Sequence, residues 1–382
     1  MRGSLRRRAL SGGTLQSRVM TSGAATFDVI IREDAFWGLE REWRALWKRA
    51  DGAFCESYDL CRDAWLHVAK SGGRTLAIVV GRIAGELVLV WPLVCVTRLS
   101  TRALRPLGPA MADPTPLLFD RTRIDERAFE PAWRALVRAV RPDLAYLTYL
   151  SDSSGMYALA SGLPRARVLE RDSLAIVDVR GAEAGWNAFC QARSNPGSRR
   201  KPGQLRRRLE KHGQVVVRIV DAAQEPGRIG ALLEFILKHK RAWGERQGKL
   251  GPWLTSRGFR AMLSALIKGP EGRACIMALE LDGRVIAAVV LGCGCTAVAA
   301  LISAFDADYG RHSPGLILAE EYVRFAFERR CDLDFGVGSE ELKRTWSLGN
   351  IHALTSFAVP VTLLGRLSLA ARDVAAFARG QL

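Results

Sequence analysis

The residues best suited to chemistry lie in the run ALISAFDADYGRHSPGLIL, residues 300–318. The apolar part up to Phe305 reads as a strand and Asp306–Ser313 as a polar loop. Pro314 then opens a helix, where the missing proline N–H would have had no partner anyway. Ser313 stands where a helix N-cap is expected. Gly310 and Gly315 let backbone amides turn toward an anion at the positive end of the helix. Arg311 adds a charged donor, with His312 beside it. Such a joint can hold the diphosphate of a nucleotide-containing cofactor. An ordinary capped helix uses the same residues, so the joint alone leaves both readings open.

Two other stretches carry reactive or charged groups. Asp332–Gly338 (DLDFGVG) ends a strand on two glycines, which permits close backbone approach or a bulge. Glu340, Glu341, Lys343 and Arg344 follow, placed either for a site beyond the strand end or as a solvated exit loop. The run from Arg199 to Lys211 (RRKPGQLRRRLEK) is strongly basic. It suits an anionic acceptor or membrane surface, or simply a solvated helix face. No aromatic interleaves it, which argues against single-stranded nucleic acid. The chain has 8 Cys and 5 His but no CxxC pair and no metal-type spacing, so the thiols read as reduced cytosolic core residues.

The elements that must position these groups fall into two similar series. The first half reads β-α-α-β-β-loop-β-α-β from Phe27 to Leu150, with Pro106, Pro109, Pro114 and Pro116 breaking the loop. The second half repeats that order. A strand covers Ser173–Val179 and a long helix Pro226–Trp243, with apolar residues at Ile229, Leu232, Leu233, Ile236 and Leu237. Arg273–Leu281 and Arg284–Cys293 form a hairpin across Asp282-Gly283. Strand Thr296–Phe305, helix Pro314–Arg329, strand Cys331–Phe335 and strand Ala353–Val359 follow. A chain of 382 residues supports about two domains at ~150 residues each. The expected division is a basic tail at 1–26, with Met20 as a second candidate start, lobes at 27–172 and 173–360, and a helix at 361–382. Hydrophobic residues make up 48% of the chain, which excludes global disorder. No stretch offers the ~20 uninterrupted apolar residues of a membrane span. The net charge of +17 favours polyanionic partners without choosing one.

Taken together, several segments resemble the GNAT-type acyltransferase domain of the CelD-like cellulose and exopolysaccharide biosynthesis proteins. They are LEKHGQVVV (209–217), LKHKRAW (237–243), ELDGRVIAAVVLG (280–292), SAFDADYGRHSPGLIL (303–318) and CDLDFGVGSEELKRTW (331–346). The match covers about residues 186–360. The FemAB-type aminoacyltransferases, with paired GNAT-like lobes, are more distant relatives. The resemblance implies an α+β fold of two tandem GNAT-like lobes, with mixed central sheets flanked by helices. It implies N-acyl transfer from acyl-CoA (acetyl or longer) to an amine, without a metal. A backbone amide on a splayed central strand would polarise the thioester. The splay would lie between Thr296–Phe305 and Cys331–Phe335, and Gly310, Arg311, His312, Ser313 and Gly315 would hold the cofactor diphosphate. Asp306, His239 and Lys343 are the expected catalytic residues, with Asp334 and Glu340 as further candidates. Trp243 and Trp346 would wall the acceptor pocket or pack in the core. Relatives often carry Tyr just before the lysine, where this chain has Leu342.

The expected acceptor is a small or lipid-linked amine of an envelope precursor, such as an amino sugar or sphingoid base. A peripheral contact with anionic membrane is expected, and no nucleic acid. The alternatives are an aminoacyl-tRNA donor, gripped by the basic run, and a non-catalytic scaffold regulating polymer synthesis.

Overall fold

A computed structural model describes residues 25–108, 114–181, 185–193, 203–220, 222, 224–269, 273–338 and 341–378. Glu340, residues 199–202 of the basic run and residues 1–24 of the expected tail lie outside the described residues. The N-terminal half starts with β1 (Thr26–Ile30), α1 (Glu33–Gly38), α2 (Glu40–Arg49) and α3 (Tyr58–Ala64). Strands β2 (Thr75–Leu76), β3 (Ile78–Ile83), β4 (Glu86–Trp91), β5 (Leu93–Arg98), β6 (Thr101–Pro106) and β7 (Leu118–Phe119) follow. The half closes with α4 (Phe129–Val140), β8 (Leu144–Ser151), α5 (Gly155–Gly162) and β9 (Arg167–Val177). The C-terminal half begins with α6 (Gly185–Arg193), α7 (Gln204–Leu209), β10 (Val215–Val220), α8 (Pro226–Arg246) and α9 (Arg257–Lys268). It continues with β11 (Ala274–Leu281), β12 (Arg284–Cys293), β13 (Ala297–Phe305), α10 (Pro314–Arg329), β14 (Asp332–Val337), α11 (Glu341–Trp346), β15 (Ile351–Pro360) and α12 (Leu363–Ala378).

The doubled element order is visible in the sheets. The four-stranded order β1-β3-β4-β7 matches β10-β11-β12-β13, which opens the eleven-stranded sheet. Both lead hairpins turn on residues with positive φ, Ala84-Gly85 and Asp282-Gly283, as expected for two-residue connections. The larger sheet then runs β14-β9-β15-β8-β6-β5-β2. β9, the last strand of the first half, lies between β14 and β15. β15, the last strand of the second half, lies between β9 and β8. Each lobe thus lends its final strand to the other, and the expected boundary after residue 172 falls inside β9.

The cores follow the same logic. One cluster is shared by both halves: Phe36, Trp43, Trp47 and Tyr58 pack with Ile229, Leu233, Phe259 and Met262 on one face of the sheet. A second lies under α10, with Val323, Leu333 and Trp346. A third lies under α4, with Trp91, Trp133 and Leu136. Full burial of such side chains contributes roughly 1.5–3 kcal/mol each. Several elements depart from the sequence reading: the first helix is split into α1 and α2, and the two strands of the following hairpin into β2–β3 and β4–β5. β6 occupies the start of the expected proline loop, and α5 and α11 fill stretches that read as connections. Among the described residues no helix is long and apolar enough to cross a membrane.

Candidate functional site

The site is built where two neighbouring strands part. β13 and β14 run parallel but pair only at Ala297–Asp332, Val298–Leu333 and Ala299–Asp334. Beyond Ala299 the two strands diverge, where the resemblance implies a splay. A β-bulge accompanies the divergence: Val290 of β12 faces Ile302, while Leu291 faces Ala300, so Leu301 is the extra residue. On its β14 side the far half of β13 therefore has no strand partner, and its peptide groups there face the gap. Gly336, with φ of 74°, turns β14 away, and its amide donates to Asp334 Oδ1 at 2.6 Å.

Lys343 reaches this gap from α11. Its Nζ donates to the carbonyls of Val337 (2.6 Å) and Gly336 (3.3 Å). Burial pushes the Asp334 carboxyl above the ordinary carboxylate range; the Gly336 amide, Lys343 and His352 pull the other way. Asp334, Lys343 and His352 thus form one electrostatic group at the end of β14. His352 was not singled out in the sequence, and nothing local marks it: it enters through the register of β15 on β9.

Asp306 and His239 form a separate pair. Asp306 is buried at the end of β13, where its carboxylate caps the turn Ala307–His312 by accepting from the Asp308 amide (3.1 Å). It also accepts from Arg284 Nη2 at 2.9 Å. His239, half-buried on α8, packs its ring against Phe235 with centroids 4.4 Å apart. Burial lowers its pKa below the usual histidine value, and the nearby Asp306 and Asp308 partly offset this. These two residues do not meet Lys343. The position of Gly336, whose carbonyl Lys343 holds, lies beside the Ala300 carbonyl. Asp306 is six residues further along β13, or about 20 Å by strand rise.

The strand–turn–helix joint lies on the other face of β13. Pro314 opens α10, but Ser313 adopts a left-handed conformation and its side chain makes no cap bond, contrary to expectation. Its carbonyl accepts instead from the amides of Leu316 (3.0 Å) and Ile317 (3.2 Å). Phe305 leans over the joint: a Cβ on Gly315 would lie 3.2 Å from its ring, so the position favours glycine. Arg311 is exposed, and its Nε donates to His312 Nε2 at 3.0 Å. The His312 ring stacks edge-on against His212, 4.7 Å away. This contact brings the described part of the basic run beside the joint. Within that run Arg206 is neutralised by Glu321 and Glu210, while Arg207, Arg208 and Lys211 are exposed. Gly310 sits in the open turn before Arg311.

The two tryptophans lie in different surroundings. Trp346 is buried in a stack with Trp186 and Phe189, with the Arg193 guanidinium 3.7 Å above its ring. Trp243 is half-buried beneath the Lys240 ammonium, 4.1 Å from its centroid. None of the eight cysteines forms a disulfide, and among the described residues no cluster could hold a metal ion.

Comparison with known proteins agrees with this architecture. The model of the acetyltransferase (GNAT) domain matches residues 197–344. No curated protein matches the sequence. Among solved structures the chain is similar to FemX (12% identity, TM-score 0.58), over 84% of this chain and 96% of that one. It is similar to the C-terminal domain of a putative lysylphosphatidylglycerol synthetase from Agrobacterium fabrum (14% identity, TM-score 0.52, 89% and 96% covered). It also resembles a conserved protein of unknown function from Bacteroides thetaiotaomicron (12% identity, TM-score 0.51, 87% and 99% covered). At these identities the likeness concerns the fold. The chain is an α+β protein whose two halves share one strand order, and residues 197–344 of the second half match the acetyltransferase (GNAT) domain.

Proposed function

We propose that the protein transfers an acyl group, acetyl or longer, from acyl-CoA to the amine of an envelope precursor. The acceptor would be an exopolysaccharide amino sugar or a sphingoid or other lipid amine. The observation that carries this reading is the gap between β13 and β14, edged by the bulge at Leu301. A thioester laid in that gap would meet preorganised backbone amides, which stabilise a tetrahedral oxyanion at no reorganisation cost. The Lys343 ammonium, already at the end of β14, would supply positive charge to the same intermediate. Asp306 and His239, about 20 Å further along β13, would receive the amine proton only through a chain of waters rather than by direct contact. Gly310, Arg311, His312, Ser313 and Gly315 would hold the diphosphate, chiefly through Arg311 and the Gly315 amide.

Thiol release measured across acyl-CoA lengths, with amino-sugar and long-chain-base acceptors, tests the reading. We expect acceptor-dependent release that falls in Lys343→Ala and in Asp306→Asn; unchanged turnover in both variants removes the site assignment. A second reading, an aminoacyl-tRNA donor, is favoured by one feature. The exposed cations of α7 and Lys211 lie beside the joint, where they could grip a polyanion. Its mark would be tRNA retention that weakens steeply with salt, with no thiol release.

A further inference from the structure

We propose that the first turns of α12, together with the tip of the β5–β6 hairpin, form a surface that seats the protein on an anionic lipid bilayer. The argument starts from exposure. Leu363, Leu364 and Leu367 are 65%, 42% and 59% exposed, and Leu99 is 94% exposed. Scattered exposed leucines need no explanation, but four in one place do.

The helix is fixed with this face outward. On its inner side Leu369 is buried against Leu144, Tyr146 and Ala358. Gly365 rides directly on the Asp143 carbonyl, where a Cβ would stand 1.8 Å from the oxygen. Thr362 Oγ1 donates to Asp143 Oδ1 at 2.6 Å, and Arg372 donates to the Tyr146 hydroxyl at 3.3 Å. At 100° per residue these anchors share one side, and Leu363, Leu364, Leu367, Ala370 and Ala371 lie on the other. The helix therefore presents a continuous apolar stripe and cannot turn it inward without losing every anchor.

The hairpin tip joins the stripe. The Thr101 and Ser368 hydroxyls are 2.7 Å apart, so the β5–β6 turn lies alongside the second turn of α12. Leu99 and Ser100 form that turn with φ of 45° and 65°. A leucine held left-handed and almost fully in solvent has no folding rationale here, because glycine or asparagine would serve the turn better. Arg98, Arg102, Arg141 and Arg366 are exposed around the same patch. Apolar side chains at the centre with arginines at the margin match the acyl boundary and phosphate layer of an anionic leaflet. The topology also gives an orientation. β14 and β15 run in the same direction, so the β13–β14 gap opens at the same end of the sheet as that from which α12 leaves.

Co-sedimentation of the full chain with vesicles of phosphatidylcholine alone, and of phosphatidylcholine with phosphatidylglycerol, tests the proposal without any activity readout. We expect binding to the mixed vesicles, weakened at least tenfold in the double variant Leu99→Asp/Leu367→Asp and unchanged in the control Ile219→Asp. Circular dichroism of each variant shows whether it is folded. A second readout, Leu367→Trp, should blue-shift its emission on adding mixed vesicles. Three results would overturn the proposal: no binding to either vesicle, binding unaffected by the double variant with no shift at Trp, or a dimer in solution that the double variant dissociates. Because acyl transfer is not measured, these outcomes are independent of the function proposed above.

Discussion

Lys343 and Asp306 were both legible as residues of interest, but for unequal reasons. The strand–loop–helix order around Asp306 is written in local chemistry: an apolar run, a polar turn and a proline at the helix start. Its bond to Arg284 spans 22 positions and has no local signature. Ser313 misled because its type suggests a side-chain cap, whereas its left-handed backbone offers the carbonyl instead. At this scale Lys343→Ala should lower turnover by about 10²-fold, the usual cost of one oxyanion-stabilising group, with Lys343→Arg recovering part of it in the thiol-release assay. Glu56 gives a pH prediction. Burial pushes its carboxyl up to about 7, against the pull of the Ala53 amide and Arg121. A carboxyl raised above its unfolded value binds its proton more tightly when folded, so stability falls as pH rises from about 4.3 toward 7 and then levels. Glu56→Gln should flatten that slope in thermal melts taken across the range.

The elements show where sequence periodicity suffices and where it does not. β12 and α10 have the bounds expected of them because their apolar patterns and turn residues agree. α5 was missed because GMYALASG has little amphipathic contrast. Its one signal was Ser154, whose hydroxyl accepts from the Tyr157 amide as an N-cap. The bulge at Leu301 was not legible, since an extra residue exists only relative to the partner strand. Gly336 was noted as a place for a bulge, and its positive φ explains the glycine. Gly336→Ala meets no nearby atom except the Ala300 oxygen at 3.8 Å, so its cost is backbone strain alone. It should destabilise by about 1–2 kcal/mol and, by moving the carbonyls that hold Lys343, lower kcat more than it raises KM.

At the scale of the whole molecule the doubled order was readable, but the exchange of β9 and β15 was not, because element order does not say which sheet a strand joins. The shared core and the contact of Gly258 with the His67 carbonyl bind the halves further. A Cβ at Gly258 would stand 2.0 Å from that oxygen. Gly258→Ala should therefore cost about 1–3 kcal/mol, as overpacking does, read as a lowered melting temperature. Expressed separately, 1–181 and 182–382 should each be insoluble, and co-expression should restore a soluble complex. The traded ribbons also bear on synthesis. On the ribosome, β8 emerges with one flank bare, and its neighbour on that side is among the last segments to be translated. The nascent chain must keep that edge from foreign pairing for most of its elongation. Its yield in cells should therefore depend on chaperone supply more than its final stability suggests.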